Sequence, residues 1–289
     1  MEEYDTLPEG TTLLKRTLGL QNLHHSQYLG VNNPLNVYDL GSTINPDPGI
    51  QSEASIQVRF VHPLQAFRIV PHADIPALSQ ETAVRDAIDQ AVHGHGLDLV
   101  SLYFRIVHLA FPILHKDLFL EKHARSYHEF APPLLAAVYL LASGYWDYSD
   151  KLTVQTRPEV AALKKLAMDS LPSSMERAKL STIQARLLLS QCQATDPSYQ
   201  SGEARLSITS QLVHLAQRLG LHLDTGDWEI PEWEIGIRRR LSWVCFIQYK
   251  CLAFVQGHSS LITCDSWDVN SLTADDFPET DKGETANSS

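Results

Sequence analysis

The chain has 289 residues, 44% of them hydrophobic, and carries 23 basic against 34 acidic side chains for a formal net charge of −11. That content supplies one large buried core or two modest ones, and the acidic excess repels a polyanion such as DNA where no basic patch overrides it. No run approaches the ~18 apolar residues of a spanning helix, and MEEYDTLPEG at the start lacks the basic and apolar regions of a secretory signal, so a soluble intracellular chain without a membrane partner is expected.

In chain order, residues 1–80 read as a poorly ordered lead-in. Asn32, Asn33, Pro34, Pro46 and Pro48 mark loops, and a short amphipathic stretch spans Leu13 to Leu20. SIQVRFVHPLQAFRIV (55–70) has partial alternation and β-branched residues that can form a short strand or two, although Pro63 argues against a central strand.

Residues 81–272 carry a helical period. Leu99, Val100, Tyr103, Phe104, Ile106 and Val107 recur at three- and four-residue steps after Gly96, and Pro112 closes that segment. A short helix follows over Asp117 to Phe130. Pro132 and Pro133 open LLAAVYLLASG, apolar on nearly all faces as a central helix should be, with Gly144 ending it. Pro158 starts a helix that should break at Pro172, and another begins near Lys179. A stripe through Leu206, Val213, Ala216 and Leu219 ends at Gly220, and a last long helix runs from Pro231 to Val255 and closes at Gly257. Helices joined by short loops predict an all-α, multi-helix domain, followed by an acidic disordered tail over 273–289.

Each candidate for chemistry has a plainer reading. His108 and His115 are seven apart with Pro112 between them, and no carboxylate completes a metal-binding set, so two histidines at a helix end and the following turn are expected. HGHG (93–96) reads as a flexible turn. GHSSL (257–261) begins like a nucleophile elbow, but Leu261 occupies a position that needs a small residue, and Ser259 follows a helix rather than a strand. Cys192, Cys245, Cys251 and Cys264 lack the spacing of a chelating set and read as reduced, packed thiols. Arg238, Arg239 and Arg240 fan around a helix near its start, where cations are unfavourable, so the acidic residues Asp224, Asp227, Glu229, Glu232 and Glu234 are expected to pair with them in a structural junction. Phe104 and Trp243 are expected to be buried. No catalytic, cofactor-binding or metal-binding residue is assigned, and no enzyme is expected.

LYFRIVHLAFPILHKDLFL, LSTIQARLLLSQC, QLVHLAQRLGLHLD and GIRRRLSWVCFIQYKCLAFVQGHSSLI, in this order from about residue 97 to 278, resemble the middle homology region of fungal zinc-cluster transcription factors. TLGLQNLHHSQYLG, HGHGLDLVSLYFRIVH and LHLDTGDWEIPEWEIGIRRRLSWVCF are similar to the branch containing general positive regulators of nitrogen-utilisation pathways. The resemblance implies a helical regulatory domain that acts on transcription in the nucleus and controls a metabolic or biosynthetic pathway. Its partners would be other transcription regulators in a homo- or heterodimer, with a small-molecule effector compatible and DNA reached indirectly. The family's six-cysteine, two-zinc DNA-binding module has no counterpart here, so no cofactor is expected, and the chain reads as a regulator without its DNA-reading head and with an early ending. The alternatives are a truncated or vestigial family member without DNA binding, and a small-molecule hydrolase using Ser259.

Overall fold

A computed structural model describes residues 13–20, 23–30, 57–72, 75–193 and 202–278. The protein is mainly helical, with a small antiparallel sheet on its N-terminal side. The loops expected around Asn32 to Pro48 and the tail beyond Pro278 lie outside the described residues.

The core is built around one helix. Pro132 and Pro133 occupy its first turn, where an amide N–H would have no intrahelical acceptor and the fixed φ of proline is already helical. Leu135, Ala136, Ala137, Val138 and Tyr139 are all fully buried, because neighbours cover every side of the helix (Pro132–Ser143, α5 in the numbering below). Before it come α1 (Ile75–Ala91), α2 (Gly96–Leu102), a π-helical turn over Tyr103–Val107, α3 (His108–Ala110) and α4 (Lys116–Arg125). After it come α6 (Asp150–Thr153), α7 (Val160–Glu176), α8 (Leu180–Gln193), α9 (Gly202–Arg218) and α10 (Glu232–Val255). Helix α5 packs on α7 and α8, α1 lies against α7, and α9 pairs with α10.

The all-α expectation is corrected by three strands: β1 (His24–Leu29), β2 (Gln57–His62) and β3 (Gln65–Pro71), in the order β1-β3-β2. Pro63 does not oppose the sheet, because His62 pairs with Gln65 and leaves Pro63 and Leu64 as the two turn residues, where no ladder N–H is required. Val61, Phe67 and Ile69 bury one face of the sheet with Leu18 and Trp228 in a second, smaller core. Phe67 meets Trp228 edge-on at 5.3 Å between ring centres.

The break expected at Pro172 is also corrected. Helix α7 continues through it to Glu176. The proline ring lies on the exposed side, where a carbonyl released from the ladder can reach solvent. Gly220 does end the helical run of α9, at φ +70, and its missing Cβ would lie 2.9 Å from Phe67 Cζ and 3.1 Å from Trp228 Cη2. Both the handedness and the sheet's approach require glycine there.

Candidate functional site

The three consecutive arginines do face different directions, and each is held by the fold. Arg238 is 1% exposed and Glu234 is fully buried one helical turn before it, with Arg238 Nε donating to Glu234 Oε1 at 2.9 Å. The Glu234 carboxylate also accepts from the Thr17 hydroxyl at 2.7 Å and from the Leu18 and Gly19 amides at 2.8 Å each. The turn that carries those donors runs so close to α8 that a Cβ on Gly19 would lie 2.6 Å from Leu180 Cγ. Arg238 also donates to the Leu219 carbonyl at 2.8 Å, and its guanidinium lies over the rings of Trp228 and Phe67. Four donors on one buried carboxylate therefore tie the N-terminal turn, the sheet core and the end of α9 to α10.

Arg239 pairs with Asp224 at 3.2 Å and with Asp276 at 3.5 Å. Asp224 in turn accepts from the backbone of Gly226 and Asn270, and these bonds, with Arg239, hold its carboxyl below the usual carboxylate range against the opposing effect of burial. Asp276 belongs to a capped 3₁₀ turn (Ala274–Asp276) at the start of the acidic C-terminal segment. Arg240 donates to the Pro112 carbonyl at 2.8 Å and lies over the Phe277 ring. Of the five expected acidic partners, Glu234 and Asp224 make the bonds, and Asp276 was not foreseen.

His115 caps α4, its Nδ1 accepting from the Leu118 amide at 3.3 Å, and its ring meets that of Trp233. His108 is buried against Phe104, with ring centres 5.0 Å apart. His93 and Gly94 form the left-handed turn before α2. Ser259 is exposed beyond Gly257, and among the described residues no histidine ring bonds its hydroxyl. Burial raises the thiols of Cys192, to about 11, and of Cys245, which makes them poor nucleophiles. Among the described residues no group of three or more His, Cys, Asp or Glu side chains could hold a metal ion, and no helix is long and apolar enough to cross a membrane. Phe104 is buried as expected, but Trp243 is half-buried and donates its indole N–H to the Asn270 carbonyl near the surface. The long helix rotates that position toward the rim rather than the core.

A cavity of about 290 Å³ lies between α1, α4, the start of α5 and the α7–α8 junction. Leu118, Phe119, Leu134 and Ile237 give it an apolar wall. Arg85, Lys122, Arg177 and Lys179 line it with positive charge, and Glu81 and Glu129 with negative. Burial pushes the Lys122 ammonium down to about 8. Burial, reinforced by repulsion from Lys122, pushes that of Lys179 down to about 7. None of these charged residues was singled out in the sequence as part of a site.

The fungal specific transcription factor domain matches residues 100–289. The chain belongs to this family. The chain is also similar to Transcriptional activator protein DAL81 of Saccharomyces cerevisiae, at 35% identity over 251 residues, covering 85% of this chain and 25% of that protein. An uncharacterized transcriptional regulatory protein of Schizosaccharomyces pombe is 27% identical over 296 residues, covering 93% of this chain and 44% of that protein. The chain thus spans less than half the length of these curated relatives. No solved structure matches it significantly.

Proposed function

We propose that the chain regulates transcription in the nucleus as a non-enzymatic helical domain that holds an effector cavity and acts through other regulators, with DNA reached through a partner. The observation that carries this reading is the family match across the helical domain. Two structural features support it. The arginines that could have formed a DNA-binding patch are committed to Glu234, Asp224, Asp276 and backbone carbonyls, and a partly open cavity between the helices has mixed apolar and charged walls, the form of a small-molecule site. No zinc or other cofactor is required in this reading. A metabolic or biosynthetic pathway is the proposed target, and a homo- or heterodimeric partner supplies the DNA contact.

The test is to fuse the chain to a heterologous DNA-binding module upstream of a reporter gene in yeast. Reporter output that departs from that of the module alone, in either direction, supports the reading. Unchanged output from a stable, nuclear fusion refutes it.

A further inference from the structure

The segment that follows α10 crosses back over the first half of that helix and is pinned to the fold at two points. Upstream, the Asn270 carbonyl accepts from the Trp243 indole, and the Asn270 amide and side chain donate to Asp224. Downstream, Asp276 is 3% exposed and pairs with Arg239 at 3.5 Å. Its backbone lies so near α10 that a Cβ on Gly236 would stand 3.2 Å from the Asp276 carbonyl oxygen. Phe277 follows, its ring centre 5.2 Å from the Arg240 guanidinium carbon. Between the two pins Ser271, Leu272 and Thr273 are exposed and belong to no helix or strand.

Thr273 fastens the downstream pin. Its hydroxyl donates to Asp276 Oδ2 at 3.3 Å and its amide donates to the same oxygen at 2.8 Å. The hydroxyl oxygen accepts from the Asp276 backbone in return, which completes a capping box. Asp276 Oδ1 is the oxygen that meets Arg239, so one carboxylate joins the threonine to α10. The sequence around this hydroxyl is one-signed: Asp275 and Asp276 stand two and three residues after it, Asp268 precedes it, and residues 259–281 contain no lysine, arginine or histidine. Such a run matches an enzyme that selects substrates by acidic charge and repels one that selects basic charge. Ser126 also has a carboxylate three residues on, at Glu129, but Arg125 and His128 flank it.

We propose that Thr273 is a phosphorylation site for an acid-directed protein kinase, and that the phosphate unfastens this strap from α10. The Thr273 Oγ attacks the γ-phosphorus of ATP, the bond from that phosphorus to the β–γ bridging oxygen breaks, ADP leaves, and the hydroxyl proton passes to the kinase's base. A single 3₁₀ turn opens locally at small cost, which presents Asp275 and Asp276 to the kinase in extended chain. The phosphate then prevents reclosure. The esterified oxygen has no proton to donate to Asp276, and the group brings a charge of about −1.5 to −2 at pH 7 beside a buried carboxylate. Arg239 does not offset it, because that guanidinium is already shared by Asp224 and Asp276. Repulsion therefore outweighs any new pairing, and the strap leaves the Gly236 face of α10. The transcriptional reading above does not depend on this site.

The experiment treats the full chain with Mg·ATP and casein kinase II, and in parallel with the arginine-directed cyclic-AMP-dependent kinase. Phosphate is located by peptide mass spectrometry, and amide hydrogen exchange is followed before and after. The expected result is phosphate on Thr273 from the acid-directed kinase alone, with the amides of residues 273–277 exchanging at least about tenfold faster while those of α5 hold. Asp275→Asn, which neutralises an exposed carboxylate, should slow the transfer about tenfold or more, and Thr273→Val should abolish it. Asp276→Ala should reproduce the faster exchange without phosphate. Incorporation elsewhere with Thr273 unmodified, no incorporation while casein in the same tube is phosphorylated, or a phosphorylated Thr273 with unchanged exchange would each overturn the proposal.

Discussion

Replacing Glu234 with alanine should be among the most damaging single changes available in this fold. The carboxylate is fully buried and accepts four hydrogen bonds, from Thr17, Leu18, Gly19 and Arg238. Removing one member of a buried ion pair costs about 3–5 kcal/mol, because the remaining charge keeps its desolvation penalty. The three donors of the N-terminal turn add roughly 1 kcal/mol or more between them, less than the full cost of orphaned donors because water can enter the vacated space. The expected loss is therefore about 4–6 kcal/mol, a large part of the ~5–15 kcal/mol that holds a typical domain together. Arg238→Met should cost less, since the carboxylate it abandons still has three donors, and the double variant Glu234→Ala with Arg238→Met should cost less than the sum of its parts. Equilibrium urea denaturation of all four proteins, with the slope checked for constancy, gives the comparison. A loss below about 1 kcal/mol for Glu234→Ala would refute the assignment of this carboxylate as the junction's anchor.

Phe104→Ala should cost about 3–5 kcal/mol, whereas Trp243→Ala, at the rim with one backbone hydrogen bond, should cost clearly less; equal losses in denaturation would contradict the observed burial. Gly220→Ala should cost more than about 1 kcal/mol, because φ is +70 and the new methyl meets Phe67 and Trp228; a neutral melt would show that the junction relaxes freely. Stability should rise with pH between 7 and 9 in the absence of ligand. The folded pKa of Lys179, about 7, and that of Lys122, about 8, lie below the ordinary 10.5, so within that interval the unfolded chain holds the extra protons and raising the pH favours the fold. The buried thiol of Cys245 and hydroxyl of Tyr103 oppose this trend at higher pH, since their raised values favour the unfolded state there. Lys179→Met should flatten the rise, and an unchanged slope in that variant would remove Lys179 as its source.

Local chemistry made much of the helical domain legible. Two prolines followed by Leu and Ala on all faces specify α5, and the long apolar run closing at Gly257 specifies α10. The sheet was harder to read, because Pro63 stands in a two-residue turn inside what looks like one broken strand, and its partner β1 is about thirty residues earlier across a segment rich in loop signals. Pro172 misled in the opposite sense, since an exposed proline can ride in a helix that the core already holds. The arginine junction was half legible: the charge excess near a helix start demanded carboxylates, but Asp276 reaches Arg239 from another part of the chain. The cavity left no local trace. Its charges come from α1, α4, the 3₁₀ turn Tyr127–Glu129 and the α7–α8 junction, and no periodicity links positions that only the tertiary fold brings together.

Thr17 and Glu234 are separated by 217 positions, yet one carboxylate bonds both the turn at 17–19 and Arg238. During synthesis that turn leaves the ribosome long before its acceptor exists, so the sheet and the N-terminal turn cannot be locked in place until α10 has been made. The closure is a non-local step of the kind that slows folding. It also gives the finished molecule the logic of a clasp: the helices between can assemble in stages, and the last long helix fastens the beginning of the chain to the whole.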